Sequence, residues 1–518
     1  MKLRPPQQAC CSAVYRDLKG LDSVLAACAT GVGKTIIAAA LFKRWVDHDG
    51  YRCLFLAHRE ELINQAVHKL NAARGLDADI EKAEHKASDM SQVVVGSVQS
   101  MQGKRLESWP RDHFDVIITD EAHRSTATTY RNIYDHFNTA KRLGITATAY
   151  RQKGSLSDIY QKVSYEYNLR QAIDDGLLCR IVAQTIPLPI ELGQLKTSQG
   201  DYDAKDLHTK IEPYLEAIAD EIWERSSRRK IIIFLPLCAT AKKFKDILAS
   251  RGFKAFYADG KDRSGIKGFE DSGSGSALCN AMLCTEGYDH PEIDCVIVLR
   301  PTRSTGLYSQ MIGRGTRLKE DGGNCLVLDF LWHSSNHDLC KPSCLVADTD
   351  EIAEKMNEIQ DRKSGSSDLK EIEDEAKTEL REERERRLAD NLKSFVGNKS
   401  KKFDPVLESL AIYDDKLTNW LPKMEWEKGE ILHGQKKFLD KMGFDSNGWT
   451  RGYASTLIGD LEQRRKSGLC TPKQMRTLLK NGVAGADALT FQQASEQMDK
   501  LSKKWDKAKR WKQIKNRR

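Results

Sequence analysis

Ser23-Val24-Leu25-Ala26-Ala27-Cys28-Ala29-Thr30-Gly31-Val32-Gly33-Lys34-Thr35-Ile36-Ile37 is the stretch on which the fold turns. Its first five residues read as a buried strand, and Ile36-Ile37-Ala38-Ala39-Ala40-Leu41 as a helix. The glycine-rich turn between them delivers a lysine and a threonine to the helix start. Such a turn aims backbone N–H groups and the positive end of a helix at phosphates, with the hydroxyl on a magnesium ion. Thr30, Gly31, Val32, Gly33, Lys34 and Thr35 are therefore the expected phosphate cradle. Cys28 stands where the first glycine of such a loop usually falls, so the flanking strand and helix carry the reading.

A second stretch, Asp120-Glu121-Ala122-His123, follows the apolar run Val116-Ile117-Ile118-Thr119. A buried parallel strand ending in two acids suits phosphoryl transfer to water. Asp120, with Thr35, would hold the metal, and Glu121 would act as general base.

Outward from these motifs, apolar strands alternate with helical stretches. Cys53–Leu56, Val93–Val95, Val116–Ile118 and Leu143–Ile145 form one series, and Ile231–Phe234, Cys295–Leu299 and Leu326–Leu328 a second. The pattern is that of two α/β domains with parallel sheets. The polar, glycine-containing piece from about 188 to 210 reads as an insertion or linker. Residues 351–396, dense in Glu, Lys and Arg, read as an exposed helix interrupted at Ser364-Gly365-Ser366-Ser367. After 425, Gln435, Leu439, Gly443, Thr450 and Ser455 recur as Gln474, Leu478, Gly482, Thr490 and Ser495. The period is about forty residues and predicts paired helical units.

Composition narrows the class. The 518 residues suggest about three domains. No run reaches membrane-spanning length, and the start carries no secretory signal. The thirteen cysteines are scattered, adjacent only at Cys10-Cys11, as in a reducing cytoplasm. The net charge of +8 is uneven: residues 500–518 hold ten Lys or Arg against Asp506 alone, interleaved with Trp505 and Trp511. A basic stretch with aromatics suits phosphate backbones and base stacking.

With the second domain added, the chain resembles the superfamily 2 helicases and translocases of the DEAH-box type, over residues 1 to about 330. Leu3-Arg4-Pro5-Pro6-Gln7 resembles the adenine-reading segment, with Gln7 on the base. Leu56–Leu62, with Arg59, and Gly96-Ser97-Val98-Gln99-Ser100 resemble strand-contact motifs. Thr146-Ala147-Thr148 resembles the coupling motif, joined by His123. Thr285-Glu286-Gly287-Tyr288-Asp289 resembles motif V, Thr285 and Glu286 facing nucleic acid and Asp289 the nucleotide. Gln310-Met311-Ile312-Gly313-Arg314-Gly315-Thr316-Arg317 resembles motif VI.

The resemblance implies two tandem RecA-like domains, 1–180 and 181–347, while composition and the repeat point to a charged helical linker, 348–424, and a helical repeat domain with basic tail, 425–518. It implies ATP and Mg2+, with Lys34, Glu121, Gln310, Arg314 and Arg317 catalytic. Arg314 and Arg317, three apart on an expected helix, would reach across the cleft as arginine fingers. It further implies action on single-stranded or fork-like DNA in replication, recombination or repair, with RNA remodelling or a restriction-like motor subunit as alternatives. A protein partner is expected at the C-terminal repeats, which resemble those of phage and prophage helicases. Ala149 replaces the proline that commonly follows Thr-Ala-Thr. His333, His337, Cys340 and Cys344 have ligand-like types, but one short segment would have to wrap a zinc ion alone, so packing is the expected role.

Overall fold

Buried apolar strands set the architecture of this protein, and their registers bring the motifs to one edge. The computed structural model describes residues 3–58, 63, 66–68, 70–71, 76–147, 156–191, 196–198, 201–285, 288, 290–333, 339–363, 365–395, 404–418, 420–422, 424–483 and 485–515. Two compact units result: Met1–Ala347 with Met356–Glu373, and Asp348–Lys355 with Asp374–Arg518.

The first sheet comprises β1 (Ser23–Cys28), β2 (Cys53–Ala57), β3 (Ala78–Glu81), β4 (Val93–Ser97), β5 (Val116–Asp120), β6 (Lys141–Thr146) and β7 (Lys162–Tyr167). All seven are parallel, in the order β3-β4-β2-β5-β6-β1-β7. Val24, Ala26 and Ile118 join Phe42 on one face, while Leu25, Leu54 and Ile117 join Phe137 on the other. Burial on both faces is why these strands read as unbroken apolar runs. One strand, β6, separates the phosphate-loop strand from the acid-bearing one. The pairings Ala27 with Thr146 and Asp120 with Ile145 bring their carboxyl ends to a common edge. Ligands of open parallel sheets bind outside that edge.

The second sheet belongs to the same unit. It comprises β8 (Ile181–Glu191), β11 (Lys230–Phe234), β12 (Lys254–Ala258), β13 (Ser276–Asn280), β14 (Cys295–Val298), β15 (Cys325–His333) and β16 (Ser367–Asp368). A small hairpin of β9 (Thr197–Ser198) and β10 (Asp201–Tyr202) lies between β8 and β11 in sequence. The order is β12-β13-β11-β14-β15-β8-β16, antiparallel only at β16.

Two expectations change here. The piece from 188 to 210 is no linker: β8 runs through Glu191 beside β15, and helix Ala204–Ile211 buries Leu207 and Ile211. Polar residues between these elements hid the apolar pattern. The charged stretch is not simply an exposed helix either. Helices Asp350–Arg362 and Leu369–Phe395 flank β16. Ile352, Met356 and Ile359 are buried on the first, as are Ile372, Ala376 and Leu380 on the second. Spacings of three and four place each trio on one helix face, which averaging over charge conceals.

The second unit is helical, and its forty-residue period is a duplicated helix pair. Helices His433–Met442 and Arg451–Lys466 form one copy, Pro472–Lys480 and Phe491–Lys515 the other. Equivalent bonds recur in both. Gln435 Nε2 donates to Ser455 Oγ at 2.7 Å, and Gln474 Nε2 to Ser495 Oγ at 3.0 Å. The N–H of Arg451 donates to Gly429 O at 2.7 Å, and that of Phe491 to Gly468 O at 3.0 Å. Single antiparallel bridges, Glu430 with Thr450 and Leu469 with Thr490, close each copy.

Candidate nucleotide site

Gly33, at φ +89°, caps helix Lys34–Arg44, a left-handed conformation that glycine adopts without steric cost. It turns the chain so that Lys34 and Thr35 open the helix above the end of β1. Lys34 Nζ donates to Glu121 Oε1 at 3.0 Å, both side chains nearly buried. Burial opposes the charged form of each. The Glu121 and Asp120 carboxylates more than offset this for Lys34, whose pKa lies above the usual lysine value. Burial likewise opposes ionisation of Glu121, but the Lys34 cation and the hydrogen-bonding His123 ring hold its carboxyl well below the usual carboxylate range.

Glu121 lies in the left-handed region, φ +49° and ψ +53°, directly after β5. For a residue with a Cβ this conformation costs about 1–3 kcal/mol, and it persists because surrounding contacts fix it. Asp120 Oδ1 accepts from the Glu121 N–H at 3.0 Å. His123 Nδ1 stands 3.3 Å from Glu121 Oε2, so His123 belongs to the acid's surroundings. An ionised carboxylate is thus fixed beside the phosphate-loop lysine. The Thr35 hydroxyl and Asp120 carboxylate are oxygen donors of the kind that could hold a magnesium ion.

Gln7, only 4% exposed, donates through Nε2 to Val32 O at 2.8 Å and accepts the Arg4 N–H at 3.0 Å. It ties the first helix to the phosphate loop. The Thr30 Oγ1 is buried without a hydrogen-bond partner.

Motif VI departs from the expected helix. Helix Thr305–Ile312 ends before both arginines, which lie in the following turn and diverge. Arg317 Nη1 reaches the first domain and donates to Gly31 O at 2.5 Å. Arg314 stays in its own domain, donating to Tyr288 O at 2.5 Å and to Gln310 O at 3.2 Å. Only glycine fits at two positions of this turn: a Cβ at Gly315 would lie 2.4 Å from Cys325 Sγ, and one at Gly313 2.6 Å from Thr30 Cγ2. Gln310 is buried, its Nε2 without a partner.

Other expected residues sit at strand ends. Gly96 and Ser97 close β4, with Ser97 Oγ donating to Gln99 Oε1 at 2.8 Å. Thr146 ends β6, fully buried. Thr285 is also fully buried, and its hydroxyl donates to Met282 O at 2.7 Å, so it shapes its loop rather than facing a ligand. Arg59, Thr148, Glu286, Asp289 and His337 lie outside the described residues, as does the His333 side chain. Among the described residues no group of three metal-ligating side chains converges. Tyr288 and Gly313 are the contributors that residue chemistry did not single out, because one acts through its carbonyl and the other through its missing Cβ.

Comparison with known proteins agrees with this geometry. Residues 1–151 match the family described as type III restriction enzyme, res subunit, and residues 213–319 the helicase conserved C-terminal domain. The chain belongs to the superfamily 2 helicases. A putative ATP-dependent helicase IRC3 of Saccharomyces cerevisiae is 30% identical over 387 residues, covering 70% of this chain and 56% of that protein. A 51.5 kDa protein of a Lactococcus phage is 25% identical, covering 59% of this chain and 65% of that one. The chain therefore spans less than two thirds of either relative. Among solved structures, a fragment of a putative HsdR subunit of a type I restriction enzyme from Vibrio vulnificus superposes with a TM-score of 0.50 at 23% identity. The match covers 63% of this chain and 64% of that one. No helix among the described residues is long and apolar enough to cross a membrane.

Proposed function

We propose that this protein is an ATP-driven DNA helicase or translocase, hydrolysing ATP only when its two α/β domains close on each other. The observation that carries the reading is the reach of Arg317 from the second domain to Gly31 of the phosphate loop, at 2.5 Å. Positive charge supplied from one domain to phosphates bound by the other makes hydrolysis depend on closure. Opening and closing then change the spacing of two strand-binding surfaces, which produces stepping.

In this reading Lys34 gives up Glu121 for the ATP phosphates, and the freed carboxylate orients and deprotonates the attacking water. Thr35 and Asp120 would hold Mg2+, which supplies charge neutralisation on the phosphates. Arg314 is drawn from Tyr288 O toward the γ-phosphate on closure, joining Arg317. The basic residues 500–518 add phosphate contacts. Replication, recombination or repair is the setting such a motor fits.

The names of the matched family and of the Vibrio structure favour one second reading, the motor subunit of a restriction-like assembly. An ATPase assay with single-stranded DNA, duplex DNA and RNA as stimulants tests the proposal. Stimulation by DNA supports it, and stimulation by RNA alone overturns it. A rise only with duplex DNA, and only with a partner nuclease present, selects the restriction-like reading.

A further inference from the structure

The duplicated helix pair repeats more than a fold. In each copy one glycine carbonyl receives the N–H of the residue that opens the second helix: Gly429 from Arg451, and Gly468 from Phe491. Three positions before that glycine stands Trp426 for Gly429 and, at the end of the helix that leads into the second copy, Arg465 for Gly468. Both copies therefore place one aromatic and one guanidinium at the same two backbone positions, with the residue types exchanged.

Neither position serves the core of its copy. Trp426 is 39% exposed and Phe491 is 55% exposed, although large apolar side chains are normally buried. Arg465 is exposed as well. In the first copy the Arg451 guanidinium lies over the Trp426 ring, 5.4 Å from its centroid, forming a flat, charged, solvent-facing surface. The surroundings are mixed in sign beside Trp426, where Glu425, Glu427 and Glu430 lie with Lys428, and net positive further along the chain. Residues 431–480 hold ten Lys or Arg against four Asp or Glu, and Lys437, Lys441, Lys466, Lys473 and Lys480 are exposed.

We infer that the two copies form a pair of equivalent subsites for single-stranded nucleic acid. Each would stack a base on its aromatic ring or guanidinium plane and hold the adjoining phosphate with its arginine and nearby lysines. Unpaired bases stack on aromatic rings and on guanidinium planes, and phosphates demand the positive field. A hydrophobic protein partner would not call for a guanidinium at both sites. The inference deepens the nucleic-acid reading by assigning a surface outside the motor domains, and it rests on that reading.

The test is binding of a fluorescent oligo-dT and of a duplex to the whole chain, with ATPase activity read in parallel. Phe491→Ala and Trp426→Ala should each weaken oligo-dT binding about three- to tenfold and duplex binding less, while hydrolysis at saturating DNA stays at the parent rate. Phe491→Tyr should restore binding and Phe491→Leu should not, since stacking needs a ring where apolar docking needs only bulk. Arg465→Glu should lower the salt slope for single strands by about 0.7 for each phosphate that Arg465 neutralises. Phe491 is a surface residue, so thermal melting should match the parent and a binding loss is not a folding loss. Unchanged oligo-dT affinity in all variants, or rescue by Leu as well as by Tyr, overturns the inference. Failure of the motor reading shows separately, as hydrolysis that no nucleic acid stimulates in the parent chain.

Discussion

Glu121 combines three features that fit the proposed general base. Its backbone is left-handed, it is nearly buried, and its charge is held by Lys34 at 3.0 Å. Glu121→Gln keeps the shape and loses the base. Nucleotide binding should persist while hydrolysis falls at least a hundredfold, on the order of 3 kcal/mol of barrier. Parent-like turnover in a clean preparation would remove Glu121 from that role. The arginines separate by the same logic. Arg314→Ala should leave nucleic-acid binding nearly intact while stimulated hydrolysis collapses, whereas Arg317→Ala also removes a bond already present between the domains. Equal loss of binding and hydrolysis on removing Arg314 would indicate a folding or strand-binding role.

A quieter residue gives a pH signature. Asp329, on β15, is pushed up to about 7 by burial, against the pull of Lys341 and of the Tyr308 hydroxyl at 3.4 Å. Because the folded value is raised, its contribution to stability is complete below the ordinary aspartate value, about 3.9. It is lost as pH climbs through the folded value near 7. Asp329→Asn should flatten the dependence of Tm on pH between about 4 and 7. A variant that tracks the parent's Tm across that range would mean the carboxyl ionises without penalty.

At the scale of elements, the segment around β16 joins parts that the sequence alone keeps far apart. Ser367 and Asp368 pair with Ala183 and Val182 on β8. Two residues further on, Lys370 contacts Asp174, and Glu373, with no exposed surface, accepts from Arg170 at 2.6 Å. Arg170 and Asp174 belong to helix Leu169–Asp174, which follows the first sheet, so this strap touches both motor domains. Breaking a buried pair by removing one partner costs about 3–5 kcal/mol, because the other charge is left uncompensated. Glu373→Ala should therefore lower the melting temperature of the motor unit markedly, whereas Arg180→Ala, removing an exposed partner of Glu371, should change it little. Equal small shifts would show that the strap carries no stability.

The same elements show what could be read from sequence. Strands β1, β2 and β5 were legible because burial on both faces writes an unbroken apolar run, and the phosphate loop was legible because its chemistry fixes residue types at fixed spacing. The strap was not, since a two-residue strand has no period and its ion pairs join residues about two hundred positions apart. The paths of Arg314 and Arg317 were hidden for a different reason. A three-residue spacing suggests one helix face, but the helix ends at Ile312, before either arginine, in a turn whose Gly313 and Gly315 leave no room for a Cβ. Residue types were visible there and their direction was not.

Over the whole molecule, charge divides the labour. Residues 500–518 carry a net +9, ten Lys or Arg against one Asp, while the chain totals +8. The rest therefore sums to about neutral, and long-range attraction for a polyanion concentrates at this end. Helix Phe491–Lys515 carries most of these charges, with Trp505 and Trp511 among them. A chain ending at Leu501 keeps the phosphate loop, both arginines and both helix-pair subsites, so it should still hydrolyse ATP at saturating DNA while needing more DNA to reach half-maximal rate. Each phosphate that the shortened chain no longer neutralises takes about 0.9 from the log–log salt slope on duplex DNA and about 0.7 on single strands. The indole rings add stacking that only unpaired bases accept, so single-strand affinity should fall further than duplex affinity. Salt titrations of both affinities, for the full chain and for the one ending at Leu501, decide the matter. Superimposable slopes would make residues 502–518 a solvated end and leave DNA attraction to surfaces whose net charge is close to zero.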